Sequence, residues 1–454
     1  MKSTSQFPDF AAHLRQLIRL FAGGRRSVHP PQGSGERAEG GVQPDPAHAP
    51  LSDAEFNRLA LGLFALQVAQ NLPYRRICQA RGARPESVAA WTQIPAVPTA
   101  AFKELELSCL PPEQRTAVFH SSGTAGQPPS RHYHNAQSLA LYQASLLPWF
   151  EANVLDRPLA TGDWQLAILT PAPPQAPHSS LVHMFETLRR KSGSPESAFL
   201  GQAAEDGAWT LDPEAATAAL RDSVQTRTPL LLLGTAYLFV RLLDHLARQR
   251  LQFQLPPGSR AMETGGYKGR SRALAKSQLH ALITRRLGIP PAGIIREYGM
   301  TELSSQAYDR PKGSPPAAQE PAGSGAGISP AARASGPPNQ RGPDARPTTV
   351  AARFMAPTHL PARGLQTLPE PPGAPRLFRF PPWARVQIIS PETGREVPEG
   401  ETGLIRVFDL ANVYSVLAIQ TDDLGRRGDD GFDCLGRAAL AEPRGCSLMA
   451  EWPR

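Results

Sequence analysis

The run Ser121, Ser122, Gly123, Thr124, Ala125 and Gly126, directly after Phe119 and His120, mixes hydroxyls with small residues. Glycines there let backbone N–H groups approach phosphate oxygens, and the hydroxyls add donors. Arg131, beyond Pro128 and Pro129, places a cation beside the same loop. An ordinary polar turn is the alternative reading. A second run is Glu297, Tyr298, Gly299, Met300, Thr301 and Glu302. A tyrosine ring can stack on a purine, a threonine hydroxyl can bond an α-phosphate, and the Glu302 carboxylate can hold Mg²⁺. A strand end turning on Gly299 would also explain it. The third run is Thr421, Asp422, Asp423, Leu424, Gly425 and Arg426, followed by Leu435, Gly436 and Arg437. An aspartate placed after a strand can accept hydrogen bonds from both hydroxyls of a ribose, which is the reading for Asp423. Asp422 reads as its solvated neighbour, and Arg426 and Arg437 as ribose or phosphate contacts or as surface arginines. Gly265 and Gly266, within residues 264–269, form a further glycine-rich turn that either lines the same pocket or is a plain turn. No G-x-x-x-x-G-K-[ST] run occurs, so the chemistry is not that of a Walker A loop.

These runs must be held by a scaffold, and 454 residues suffice for one large domain or two to three ordinary ones. Residues 9–22 have helical spacing, with Phe10, Leu14, Ile18 and Phe21 on one face, and residues 23–50 read as a linker. Ser52 to Glu55 makes a capping box ahead of Phe56, Leu59, Leu63, Leu66 and Gln70. Residues 166–169, 230–233 and 293–296 read as strands, and 236–249 and 271–287 as helices. Two more strands, 386–389 and 404–407, flank a turn-rich stretch. Such alternation predicts an α/β fold with helices packed on β-sheets. From Pro311 to Pro375 the chain is dominated by Pro, Ala, Gly, Ser and Arg, a composition expected of a disordered insert. The boundaries predicted are therefore 1–50, 51–310, 311–375 and 376–454.

The formal charge of +8 comes mostly from scattered arginines, without the basic and aromatic clustering of a nucleic-acid surface. Cys78, Cys109, Cys434 and Cys446 form no C-x-x-C pair, which argues against a zinc site or a disulfide framework. The start of the chain has no secretory signal, and no run of 18 or more apolar residues is present. A cytoplasmic protein without a membrane span is expected.

In this order and spacing the three runs resemble the ATP-binding signature of adenylate-forming enzymes. Residues 94–103, 121–132, 296–309 and 418–447 resemble, more narrowly, the acyl-protein synthetases, typified by the fatty-acid–protein ligase of bacterial bioluminescence operons. That resemblance spans most of 52–310 and 380–450, while the long insert and the extended N-terminus depart from it. It implies the N-terminal-domain fold of adenylate-forming enzymes, without the mobile C-terminal domain that carries their catalytic lysine. It implies ATP and Mg²⁺, a long-chain fatty acid as substrate, and an acyl-adenylate intermediate. It also implies acyl transfer to Cys446, in the stretch Arg444, Gly445, Cys446, Ser447, and onward passage to a partner enzyme such as an acyl reductase. A buried, unreactive Cys446 is the alternative, and Cys434 reads as packing. Two rival functions stay open: a ligase serving CoA, a carrier protein or an amine, and a nucleotide-binding scaffold without catalysis. A serine hydrolase built on Ser179 or Ser180 with His178 and His183 lacks the G-x-S-x-G elbow.

Overall fold

Two apolar runs set the centre of the fold. Gln165–Pro171 and Leu230–Thr235 are buried along their whole length, as strands covered on both faces must be. They lie side by side in parallel, with Gln165 opposite Leu230. The computed structural model describes residues 6–24, 51–121, 128–205, 207–265, 274–311 and 376–438.

In chain order the helices are α1 (Gln6–Gly24), α2 (Asp53–Gln70), α3 (Leu72–Ala80), α4 (Ala101–Glu104), α5 (Ala136–Val154), α6 (Ser180–Ser192), α7 (Pro213–Thr226), α8 (Ala236–Arg248) and α9 (Lys276–Leu287). The strands are β1 (Val97–Pro98), β2 (Ala117–His120), β3 (Arg131–His134), β4 (Gln165–Pro171), β5 (Ala198–Ala203), β6 (Trp209–Leu211), β7 (Leu230–Thr235), β8 (Arg260–Thr264), β9 (Ile294–Tyr298), β10 (Ala307–Pro311), β11 (Arg376–Arg379), β12 (Ala384–Ile389), β13 (Thr402–Asp409), β14 (Ala418–Gly428) and β15 (Gly431–Arg437). Thirteen of them form one sheet, ordered β12, β13, β14, β15, β11, β10, β9, β8, β7, β4, β5, β6, with β1 pairing β14. Its middle, from β5 through β4, β7 and β8 to β9, is parallel. Beyond β9 the pairing turns antiparallel through β10, β11, β15, β14, β13 and β12. Strands β2 and β3 make a separate hairpin.

Two apolar cores follow from this layout. One gathers β4, β7, β8 and the start of β9 with α5 to α9; the other gathers α1 to α3 with β12 to β14. Strand β9 runs between them: Ile294 and Ile295 lie in the first, Tyr298 in the second. The predicted α/β class, with helices on sheets, is the observed one.

Local expectations differ in places. The first helix buries Phe7, Ala11, Leu14 and Ile18, a face rotated from the predicted one, and Phe10 and Phe21 pack at its edge. Nor does it stand outside the domain. Phe7 lies 5.6 Å from Tyr414, and Phe21 lies 5.6 Å from Trp383, so α1 shares the second core despite the linker that follows it in sequence. Helix α9 starts at Lys276, five residues later than residue 271 suggested. Of the capping box, Ser52 Oγ accepts from the Glu55 N–H at 3.3 Å. Asp422 and Asp423 lie inside β14 and not after a strand, because antiparallel pairing with β15 carries β14 on to Gly428. The insert read as disordered falls, from residue 312 to 375, outside the described residues. Strands β10 and β11 pair directly across it, with Pro311 opposite Arg376. Among the described residues, no helix is long and apolar enough to cross a membrane.

Candidate active site

The hairpin of β2 and β3 fixes where the first run leaves and rejoins the fold. His120 pairs with Arg131, and Phe119 with His132. Above that pair the Ser130 N–H donates to Ser121 Oγ at 2.9 Å, and the Ser121 N–H donates to the Ser130 carbonyl at 3.2 Å. Ser121 and Arg131 thus stand at the two ends of the loop. Ser122, Gly123, Thr124 and Gly126 lie outside the described residues, as do Gly266 and Cys446. Two donors at the loop's foot, Ser130 Oγ and Arg131 Nε, are buried with no hydrogen-bond partner among the described residues. A bound anion is the kind of group that would satisfy both.

The second run turns from β9 into β10. A Cβ added to Gly299 would overlap Glu297 Oε1, so only glycine lets this carboxyl fold back beneath the turn. Glu297 accepts a hydrogen bond from Thr264 Oγ1. Its burial pushes its pKa up to about 7, the Thr264 bond works against the rise, and Glu263 adds to it. Thr301 Oγ1 donates to the His120 carbonyl at 3.3 Å, and His132 Nδ1–H donates to the Thr301 carbonyl at 2.9 Å. The first and second runs are therefore bonded to each other.

What holds the far side of the turn is a buried polar network that sequence reading missed. Asp409, fully buried, accepts from the Ser304 N–H at 2.9 Å, Ser305 Oγ at 2.8 Å and the Ala411 N–H at 2.9 Å. Asn412 Nδ2 donates to the Glu302 carbonyl at 2.8 Å, which fixes the backbone of a residue only 1% exposed. Burial pushes Asp409 up to about 6.

Antiparallel register places Asp423 of β14 opposite Arg437 of β15. Arg437 Nε donates to Asp423 Oδ1 at 3.2 Å, and the Tyr298 hydroxyl donates to Asp423 Oδ2 at 2.9 Å. Three residues separated by as many as 139 positions in sequence thus meet around one carboxylate. Behind Tyr298 stand Phe378, Phe380 and Phe432, with ring centroids 5.5 to 6.2 Å away. Gly265 directly follows β8 with φ of +72°, a conformation that favours glycine.

Histidines crowd the β2–β3 hairpin. His120 stacks on His178 at 4.6 Å, His132 lies 4.2 Å from His134, and Phe119 sits 4.6 Å from His134 and 5.2 Å from His183. Burial lowers the pKa of His120, His134 and His183, and that of His132 to about 4, so these rings are neutral at pH 7. His132 and His134 share one face of β3, and that i, i+2 spacing was the available signal. Ser179 Oγ accepts from the Val182 N–H as the cap of α6, a helix-end role and not a nucleophile's. With His183 it lines a cavity of about 440 Å³ between α5 and α6. Burial raises Cys78, Cys109 and Cys434 above the ordinary thiol range, which disfavours a reactive thiolate at each. Among the described residues, no group of three or more His, Cys, Asp or Glu could hold a metal ion.

The parallel sheet with its antiparallel extension has counterparts of known structure. Crystal structures of 2-hydroxyisobutyryl-CoA ligase are similar to it. One, in complex with 2-HIB-AMP and CoA in the thioesterification state, has TM-score 0.53 and 12% identity, covering 86% of this chain and 68% of that one. Another, an open conformation with the same ligands, has TM-score 0.54 and 13% identity, covering 91% and 80%. At such identities the likeness is one of fold. No family model and no curated protein sequence matches the chain.

Proposed function

We propose that this protein uses ATP to activate a carboxylic acid as its acyl-adenylate and passes the acyl group to the thiol of Cys446. The observation that carries the reading is the meeting of Tyr298, Asp423 and Arg437, together with the bonds that tie Thr301 to His120 and His132. Asp423 accepts the ribose hydroxyls, steadied by Tyr298 and Arg437. The loop that starts at Ser121 and ends at Arg131 receives the phosphates, where Ser130 Oγ and Arg131 Nε supply unmatched donors. Mg²⁺, held by the phosphates and Glu302, would neutralise charge on the polyphosphate. One carboxylate suffices for an ion that keeps most of its ligands as waters and phosphate oxygens.

The acid's carboxylate attacks the α-phosphorus; the new P–O bond forms as the bond to pyrophosphate breaks. Attack of the Cys446 thiolate on the acyl carbon then releases AMP and leaves a thioester. The acid is a long-chain fatty acid and the onward acceptor an acyl reductase or similar enzyme, on the sequence resemblance. Incubation with ATP, Mg²⁺ and radiolabelled tetradecanoate tests this. Hydroxylamine-labile label on the wild type and none on Cys446→Ser is the expected outcome. Equal label on both would move the acceptor to another residue. Acid-dependent pyrophosphate exchange without any label would favour a ligase serving CoA, a carrier protein or an amine. No exchange at all would leave a nucleotide-binding scaffold.

A further inference from the structure

Neither adenylate formation nor acyl transfer uses the buried carboxyl of Glu297. Strand register sets this residue beside Thr264 of β8 on one side and Tyr308 of β10 on the other. Both of its oxygens are accounted for. Thr264 Oγ1 donates to Oε2, and Oε1 lies where a Cβ on Gly299 would stand. The carboxyl is therefore roofed by the turn that leads from β9 to Thr301.

Apart from the Thr264 hydroxyl, its surroundings do not favour a charge. Burial keeps Tyr308 a neutral phenol, and its hydroxyl has no hydrogen-bond partner among the described residues. Tyr142 of α5 brings a second phenol, which accepts from Gln306 Nε2 at 3.1 Å. Glu263, the preceding residue of β8, is another acid. Arg296 Nε and His280 Nε2 are set against Glu263, at 3.5 and 3.4 Å. Among the described residues no ion pair includes Glu297. Burial, with Glu263 adding to it, keeps the proton on Glu297 up to about pH 7.

The turn above this carboxyl joins the three runs. Tyr298 donates to Asp423, and Thr301 is bonded to His120 and His132. An ionised Glu297 needs water or another donor, and Gly299 lies directly on it. Solvating the charge therefore means displacing the turn, and Tyr298 and Thr301 move with it.

We propose that Glu297 is a positioning residue of the activation step, holding the 298–302 turn in its ATP-binding geometry only while its carboxyl is protonated. This rests on the acid-activation reading above. The proton stays on Glu297 through the reaction and is exchanged only with solvent. At low pH the carboxyl is neutral and the turn is seated. As pH rises through 7 the proton leaves, the turn shifts and ATP is held less well.

The test follows acid-dependent exchange of labelled pyrophosphate into ATP from pH 6 to pH 8.5, with tetradecanoate, octanoate and 2-hydroxyisobutyrate as acids. Wild type and Glu297→Gln are compared, with fluorescent-nucleotide affinity measured at each pH. Glutamine has the shape of the neutral acid and cannot ionise. The ratio of the two proteins cancels the titration of ATP, pyrophosphate and acid. We expect similar kcat/KM for ATP at pH 6. Above pH 7 the wild type should fall behind by about tenfold per pH unit, or about 30-fold at pH 8.5, and its nucleotide affinity should weaken in parallel. If Glu297→Gln does not fold, Thr264→Val takes its place. It removes the hydrogen bond that favours the charged form, so the alkaline loss should move to higher pH. Parallel profiles for wild type and Glu297→Gln, or an alkaline loss that Thr264→Val leaves unmoved, overturn the proposal and leave acid activation standing. Absence of exchange in the wild type at every pH with all three acids would end both.

Discussion

The histidine cluster makes acid stability the sharpest measurable property of this fold. His132 is fully buried, and its pKa falls from 6.5 to about 4, chiefly through burial and in spite of its hydrogen bond to Thr301. Between those two values the unfolded chain binds a proton that the folded chain refuses. The stabilisation is therefore present above pH 6.5 and lost as pH falls through 4. A difference of about 2.5 pKa units corresponds to about 3 kcal/mol over that window, a large share of a typical total of about 5–15 kcal/mol. His132→Asn keeps an N–H donor near the Thr301 carbonyl and cannot titrate. Urea unfolding at pH 7.5 and pH 4 should show the variant about 1 kcal/mol weaker at pH 7.5. On acidification it should lose about 3 kcal/mol less than the wild type. Asp409 and Glu297, whose pKa values are raised, act in the opposite direction. Both are present in each protein, so they cancel in the comparison. Equal acid losses in wild type and variant would refute the assignment of a buried neutral His132.

Asp423→Asn should raise KM for ATP in pyrophosphate exchange by about 10- to 100-fold, from the loss of charged hydrogen bonds worth about 1.5–3 kcal/mol; Tyr298→Phe, which leaves the carboxylate in place, should have a smaller effect. Gly299→Ala forces Glu297 away from Thr264 and should cost about 1–3 kcal/mol in urea unfolding, with exchange activity lowered in the folded fraction. Asp409→Asn turns an NH₂ group toward either the Ser304 N–H, or the Ser305 hydroxyl and Ala411 N–H, according to which oxygen it replaces. It should cost about 1–3 kcal/mol per donor left unmatched, and a melting temperature equal to that of the wild type would show that the network does not hold the turn.

Much of the scaffold was legible because its signals are local. Four consecutive leucines at 230–233 and the apolar run at 166–169 could only be buried strands, and the Ser52 cap announced α2. The rotated face of α1 was harder. A helix with Phe7, Phe10, Leu14, Leu17, Ile18 and Phe21 offers more than one apolar stripe, and contact with Tyr414 and Trp383 chooses among them. In the site, the three runs were visible as motifs, but their bonding was not. The Tyr298 to Asp423 bond depends on β9 and β14 reaching one place through a sheet whose order no local pattern records. The two-residue β1 lies far too low in signal to reveal a partner more than three hundred positions away. Asp409 carried no signal in the sequence, since its three donors come from a turn distant in sequence or from the loop beyond it.

The direct pairing of Pro311 with Arg376 has an evolutionary meaning. A chain that leaves a sheet and re-enters at the neighbouring position can gain or shed residues there without disturbing any strand order. The entropy of closing such a loop rises only with the logarithm of its length, about 0.6 kcal/mol for each doubling. Selection against lengthening is correspondingly weak at this point, so the β10–β11 junction is a place where lineages can diverge greatly in length while the adjoining sheet stays the same. For the engineer it is a port: a reporter or affinity module whose own ends lie close together can be spliced between the two strands.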